Sequence, residues 1–173
     1  MIETKFQLLD FKKQKGNWRF KGYASLFDKE DAAGDVVAPG AFKKSLSRRS
    51  ASQVKLLYQH DPSEPIGVWE DIREDAKGLF VSGRLIEGVP KANSVLALMT
   101  AGALDGLSIG FRTVTAERDA KGRRRLTDID LWEISIVTFP MLAEARAQLP
   151  HLITETTPDL SALLQEASNE IAS

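Results

Sequence analysis

His60 ends the run VKLLYQHDP and is one of only two histidines in the 173 residues. An acid–base cycle near neutral pH needs a group that titrates there, and outside the C-terminal tail this imidazole alone does. It reads either as a general base or as a strand-end histidine satisfied by Asp61 or a backbone carbonyl. Ser108 lies in DGLSIGF, where alternation sends Leu107, Ile109 and Phe111 to one face and the hydroxyl to the other. Gly106 and Gly110 leave little steric cover beside it, which suits a nucleophile that a peptide backbone must approach; a polar strand residue between flexible glycines is the plainer reading. Glu133 sits in LWEISIVTF, among residues apolar enough for a central strand. A carboxylate there needs a partner or a cleft, and orienting a histidine would supply the partner; an edge strand with a solvated face is the alternative. Asp128 and Asp130 are rival acids that simple alternation places on the opposite face from Glu133. In chain order the three roles run base, hydroxyl, acid, unlike the Ser, acid, His order of the α/β-hydrolases, and GLSIGF is not their nucleophile elbow.

Separate short strands must carry these groups. Alternating apolar and polar residues bounded by Gly, Pro, Asp or Asn predict seven: ETKFQLLDF, NWRFKGYASLF, SQVKLLYQH, IGVWEDIRE, GLFVSGRLI, GLSIGFRTVTAE and LTDIDLWEISIVTF. That number is enough to close a small barrel. The spacing predicts a short helix over GAFKKSLSRR after Pro39, and a second over KANSVLALMTAGAL, opened by Pro90 and stopped near Gly102. DAAGDVVAPG reads as a Gly turn leading into the first helix, and KGRRR, entered through Asp119, as a hairpin tip. Trp18, Trp69 and Trp132 are assigned to the core, since no basic strip accompanies them as a base-stacking surface would require. Residues 1–147 are expected to form the barrel domain. Residues 148–173 read as a Thr-rich linker followed by an amphipathic helix over 158–171.

Composition narrows the function classes. Twenty-three basic residues against 24 acidic give a net charge of −1, so no overall field favours nucleic acid or an anionic membrane. With zero Cys there is no thiolate nucleophile, disulfide or Cys zinc site, and two histidines make no histidine-rich metal cage. Oxygen chemistry is what remains. No apolar run approaches a bilayer span, and MIETKFQLLDFKK is too acidic and interrupted for a signal peptide. A cytoplasmic address is the default.

Four stretches then carry a resemblance: GYASLFDKEDAAGDVVAPGAFKKSL, VKLLYQHDPSEPIGVWEDIREDAKGLFVSGRLI, LMTAGALDGLSIGF and RLTDIDLWEISIVTFPMLAEARA. Together they resemble the prohead proteases of tailed bacteriophages with HK97-like capsids, over roughly three quarters of the chain. QHDP, GLSIGF and L-x-E-x-S-x-V-x-F-P are specific in combination, although Met141 and Leu142 follow Phe139 and Pro140 where the family commonly has Asn-Pro. The resemblance implies a serine endopeptidase related to the herpesvirus assembly proteases, mainly β with flanking helices, its small closed or nearly closed barrel ringed by them. It carries the nucleophile to Ser108 and the base to His60. The third member is a histidine in the herpesvirus relatives, and Glu133 stands at the matching interval here. By the same similarity, the loop after Pro140 is a candidate source of oxyanion donors. The implied substrates are scaffold protein or the scaffold-like arm of the major capsid protein, and the protease itself. It would act inside the prohead in the host cytoplasm, in contact with portal or other prohead components, with homo-oligomerisation left open. A catalytically silent assembly protein of the same fold, or a non-peptide serine hydrolase such as an esterase, are the rival readings.

Overall fold

A computed structural model describes residues 18–149. The predicted strand ETKFQLLDF and the tail helix over 158–171 lie outside the described residues. The elements run β1 (Trp18–Leu26), β2 (Asp35–Val37), α1 (Lys43–Arg48), a single 3₁₀ turn (Ala51–Gln53), β3 (Lys55–Tyr58), β4 (Asp61–Glu74), β5 (Gly78–Leu85), α2 (Pro90–Thr100), β6 (Gly106–Arg118), β7 (Arg124–Val137) and β8 (Ala147–Gln148). Six of the predicted strands and both helices are present. No helix among the described residues is long and apolar enough to cross a membrane.

All eight strands belong to one sheet, in the order β2-β7-β3-β4-β5-β1-β8, with β6 on the other side of β7. The sheet curls until its ends meet. Gly106 at the start of β6 bridges Arg146, the Leu107 N–H donates to the Ala145 carbonyl (2.8 Å), and the Ala147 N–H donates to Asp105 (2.7 Å). Ala147 and Gln148 pair in turn with Gly22 and Lys21 of β1. The result is the small barrel that the strand pattern implies. Phe20, Leu56, Ile66, Leu79, Val81, Leu107, Ile134 and Ile136 fill it, each at most 1% exposed. Close packing of this kind supplies most of the favourable free energy of folding.

β2 lies where a turn was predicted, and β8 straddles the expected boundary between barrel and linker. Three and two residues respectively are too short to show alternation, and each exists because a neighbouring edge needs pairing. β2 pairs in parallel with Arg124–Leu126, and β3 pairs in parallel with Glu133–Ile136, on the same side of β7. Between them the α1 segment takes over the exposed backbone groups. Ile129 N–H donates to the Ala41 carbonyl (2.9 Å), Leu131 N–H donates to Ser45 Oγ (2.9 Å), and the Leu131 carbonyl accepts from Arg49 (2.7 Å). The docking of α1 also occupies the two rival acids: Asp128 binds Lys44 at 2.7 Å, and Asp130 binds Arg49 at 2.5 Å.

Trp69 is core at 2% exposure, but Trp18 and Trp132 are 40% and 54% exposed, against expectation. Trp132 is displaced for a definite reason. Gly110 pairs with Glu133 and Phe111 with Leu131, so Trp132 is the extra residue of a β-bulge. Across it the buried set of β7 changes parity, from Ile129 and Leu131 to Ile134 and Ile136.

Candidate active site

The bulge decides which side chains share a face. Without it, alternation separates Glu133 from Asp128 and Asp130; with it, Asp130, Glu133 and Ser135 stand on one face of β7, opposite Arg112, Gly110 and Ser108 of β6. The expectation that the two aspartates lie on the other face is therefore corrected. What removes them from contention is their engagement with Lys44, Arg49, Arg112 and the Trp132 indole.

His60 enters this face from β3. Tyr58 pairs with Asp61, leaving Gln59 and His60 as a two-residue hairpin turn with φ of +54° and +60°. Such a turn favours Asn-Gly, and non-glycine residues held there cost roughly 1–2 kcal/mol each. β7 compensates. The Gln59 N–H donates to Ile136 O (3.0 Å), the Gln59 side-chain amide donates to Thr138 Oγ1 (2.6 Å), and the His60 N–H donates to Ser135 Oγ (3.0 Å). The chain thus turns at Gln59 and His60, and β4 begins at Asp61. The Asp61 carboxylate accepts from Ser63 instead of meeting His60.

The imidazole meets Glu133: Nδ1 and Oε1 are 2.5 Å apart. A carboxylate only accepts, so Nδ1 carries the proton and Nε2 keeps its lone pair. The hydrogen bond to Glu133 is the main influence on the ring and, with the carboxylate's charge, raises the His60 pKa above 6.5 against the opposing effect of burial. The other oxygen of Glu133 is held by Ser135, whose hydroxyl donates to Oε2 at 2.6 Å. Ser135, fully buried, therefore spends its one proton on Glu133 and accepts from His60, tying acid and base together. The sequence reading missed it, although its position two residues after Glu133 on one strand was the available signal.

Ser108 pairs directly with Ser135 across β6 and β7, which puts opposing Cβ atoms about 4.5–5.5 Å apart. The structure thus brings His60, Ser108 and Glu133 into one neighbourhood. Ser108 is 4% exposed, and its hydroxyl makes no hydrogen bond among the described residues. The two glycines beside it have roles other than admitting a substrate backbone. A Cβ at Gly110 would lie 1.9 Å from Glu133 Oε1, and one at Gly106 would lie 2.5 Å from the Val137 carbonyl and 2.8 Å from Pro140 Cδ. Gly110 makes room for the carboxylate, and Gly106 for the loop that follows β7.

Ser108 also lines a cleft of about 140 Å³ between the end of β1, the Lys29–Asp35 segment, β6 and the Met141–Leu142 loop. The loop after Pro140 thus flanks Ser108. β6 is paired along its length on the β7 side alone, and its other edge, beyond the bridge at Gly106, is unpaired among the described residues. Among the described residues no three His, Asp or Glu side chains gather as a metal site would require.

The family model for the Caudovirus prohead serine protease matches residues 6–159. The prohead protease of Enterobacteria phage HK97 is 37% identical over 129 residues, covering 73% of this chain and 57% of that protein. The chain therefore spans little more than half the length of that relative. The prohead protease of Escherichia phage T5 is 28% identical over 174 residues, covering 96% and 81%. Among solved structures, the bacteriophage T4 capsid assembly protease gp21 superposes with a TM-score of 0.59 at 14% identity, covering 68% of this chain and 80% of that one. KSHV protease in complex with a hexapeptide phosphonate inhibitor superposes at 0.53 and 12%, covering 88% and 77%. These two likenesses establish the fold.

Proposed function

Because the chain belongs to the Caudovirus prohead serine protease family, we propose that it is a capsid-maturation endopeptidase with Ser108 as nucleophile, His60 as general base and Glu133 as the acid that orients the base. The observation that carries this reading is the 2.5 Å His60–Glu133 contact on the face where Ser108 stands.

In the proposed cycle Nε2 of His60 takes the Ser108 Oγ proton as the oxygen attacks a peptide carbonyl. The imidazolium then gives that proton to the departing amine. Glu133 holds the tautomer and stabilises the charged ring, and Ser135 holds Glu133. Water releases the acyl group by the same steps in reverse. Backbone N–H groups of the loop after Pro140 are the proposed donors to the oxyanion, which needs them at about 3 Å. The unpaired edge of β6 gives an extended peptide a place to lie beside Ser108. No cofactor enters.

The proposed substrates are scaffold protein, the scaffold-like arm of the major capsid protein, and the protease itself, cut within the prohead. Residues 158–171 are proposed to bind scaffold or capsid protein; deleting 150–173 and measuring incorporation into proheads tests this. A silent assembly protein remains the second reading, because the Ser108 hydroxyl is not hydrogen-bonded to His60. Apo geometry of this kind often tightens with substrate. Co-expression with the cognate capsid and scaffold proteins separates the two readings. The protease reading expects cleavage that falls by roughly 10⁴-fold or more in Ser108→Ala. Equal cleavage by that variant, or none by the wild type inside assembled proheads, supports the silent protein.

A further inference from the structure

The run Lys121–Arg125 is the densest charge in the sequence, and the proposed chemistry leaves it unused. It does form a hairpin tip, closed by Asp119 and Gly122. Its arginines, however, are not an open cationic patch. Arg123 reaches Glu30 (3.4 Å) besides Asp119 (2.7 Å), Arg124 reaches Asp35 (2.9 Å), and Arg125 reaches Asp28 (2.7 Å). Three consecutive arginines are each bonded to an acid of one short loop, 28–35.

That loop is tied at other points as well. Asp31 accepts from the Ala33 and Asp35 N–H groups, both at 2.9 Å, and the Ala32 N–H donates to the Met141 carbonyl at 2.9 Å. So held, it contributes Lys29, Asp31, Ala33 and Asp35 to the wall of the cleft that Ser108 lines. Most of the remaining lining is apolar, including Leu26, Val37, Phe111 and Leu142. A volume near 140 Å³ is close to that of cavities that accept a benzene-sized group. An apolar side chain of leucine size fits that description.

We propose that Arg123, Arg124 and Arg125 are positioning residues for substrate: they hold loop 28–35 as the cleft wall against which an apolar side chain beside the scissile bond packs. This rests on the reading of Ser108 as nucleophile. Single exposed ion pairs contribute little, but three on one short loop fix its orientation as well as its position, and salt screens all three. Substrate binding, more than the chemical step, then depends on the run.

The test uses the full chain and two probes that react at Ser108. A fluorophosphonate with no peptide reports the nucleophile alone. A tripeptidyl diphenyl phosphonate with a leucine side chain on the carbon bonded to phosphorus loses phenol as Ser108 Oγ bonds to phosphorus, and yields KI and kinact separately. The double variant Arg124→Gln, Arg125→Gln is expected to raise KI about fivefold or more while kinact and the fluorophosphonate rate stay within about twofold. Added salt should raise the wild-type KI and move that of the double variant less. Arg125→Asp should weaken KI, and adding Asp28→Arg should recover most of the loss. The proposal is overturned by an unchanged KI, by a fluorophosphonate rate that falls in step with it, by a swap that recovers nothing, or by a wild type that the fluorophosphonate labels and the peptide probe does not. If the fluorophosphonate does not label wild-type Ser108, the nucleophile assignment itself fails, and this proposal with it.

Discussion

Gly110 faces Glu133 across β6 and β7, and the Glu133 carboxylate occupies the space a Cβ at 110 would need, 1.9 Å from that point. The glycine is thus a condition for the acid to reach His60. Gly110→Ala should leave the barrel folded, because the clashing atoms end a side chain that can swing away. It should cost roughly 10²-fold in kcat/KM by misplacing the acid. Peptide cleavage measured beside a thermal melt checks this; an active Gly110→Ala variant would mean that Glu133 need not stay where it is.

Ser135→Ala removes the donor to Glu133 and the acceptor for the His60 N–H in one step. The expected stability loss is about 1–3 kcal/mol, from a buried hydroxyl whose partners are left unsatisfied. A disproportionate fall in kcat should accompany it. Urea unfolding with steady-state kinetics separates the two effects.

The pH dependence follows from the raised His60 pKa. A base must be neutral, so kcat/KM should rise with pH through an apparent pKa above 6.5. Glu133→Gln removes the main cause of the elevation and should bring the midpoint down, together with a lower plateau. Linkage gives the opposite sign for stability. A group whose folded pKa is raised stabilises the fold fully below 6.5, and that contribution is lost as pH rises through the folded value. Activity should therefore appear over the same interval in which the positive charge on His60 ceases to add to the stability of the fold, while the neutral ring keeps its hydrogen bond to Glu133. Rate and melting profiles on one pH series check both signs.

His60 also stands at φ +60°, where only glycine is unstrained. His60→Gly and His60→Ala both lack the imidazole, so their difference isolates the backbone. The glycine variant should be the more stable by about 1 kcal/mol, and both should be inactive. Equal urea midpoints would place the strain elsewhere.

Much of this arrangement was legible in the sequence. β1 and β3–β7 show the period of two, and Pro90 and Gly102 mark the limits of α2 because their backbone restrictions are local. His60, Ser108 and Glu133 stood out by scarcity, by flanking glycines and by charge among apolar neighbours. What was hidden depends on partners distant in sequence. The Trp132 bulge changes the face of every residue after it, and no local pattern announces it. Gly106 and Gly110 looked like openings for substrate, and only the folded positions of Pro140 and Glu133 show what fills them. The role of Ser135 depends on β3 bringing the His60 N–H to it, a contact between residues distant in sequence.

The most direct test of the central claim is site-resolved labelling. After exposure of the full chain to a fluorophosphonate, peptide mapping by mass spectrometry should find one adduct, on Ser108, abolished in Ser108→Ala and greatly slowed in His60→Ala. An adduct on another residue, or labelling of Ser108 that is indifferent to the loss of His60, would contradict it.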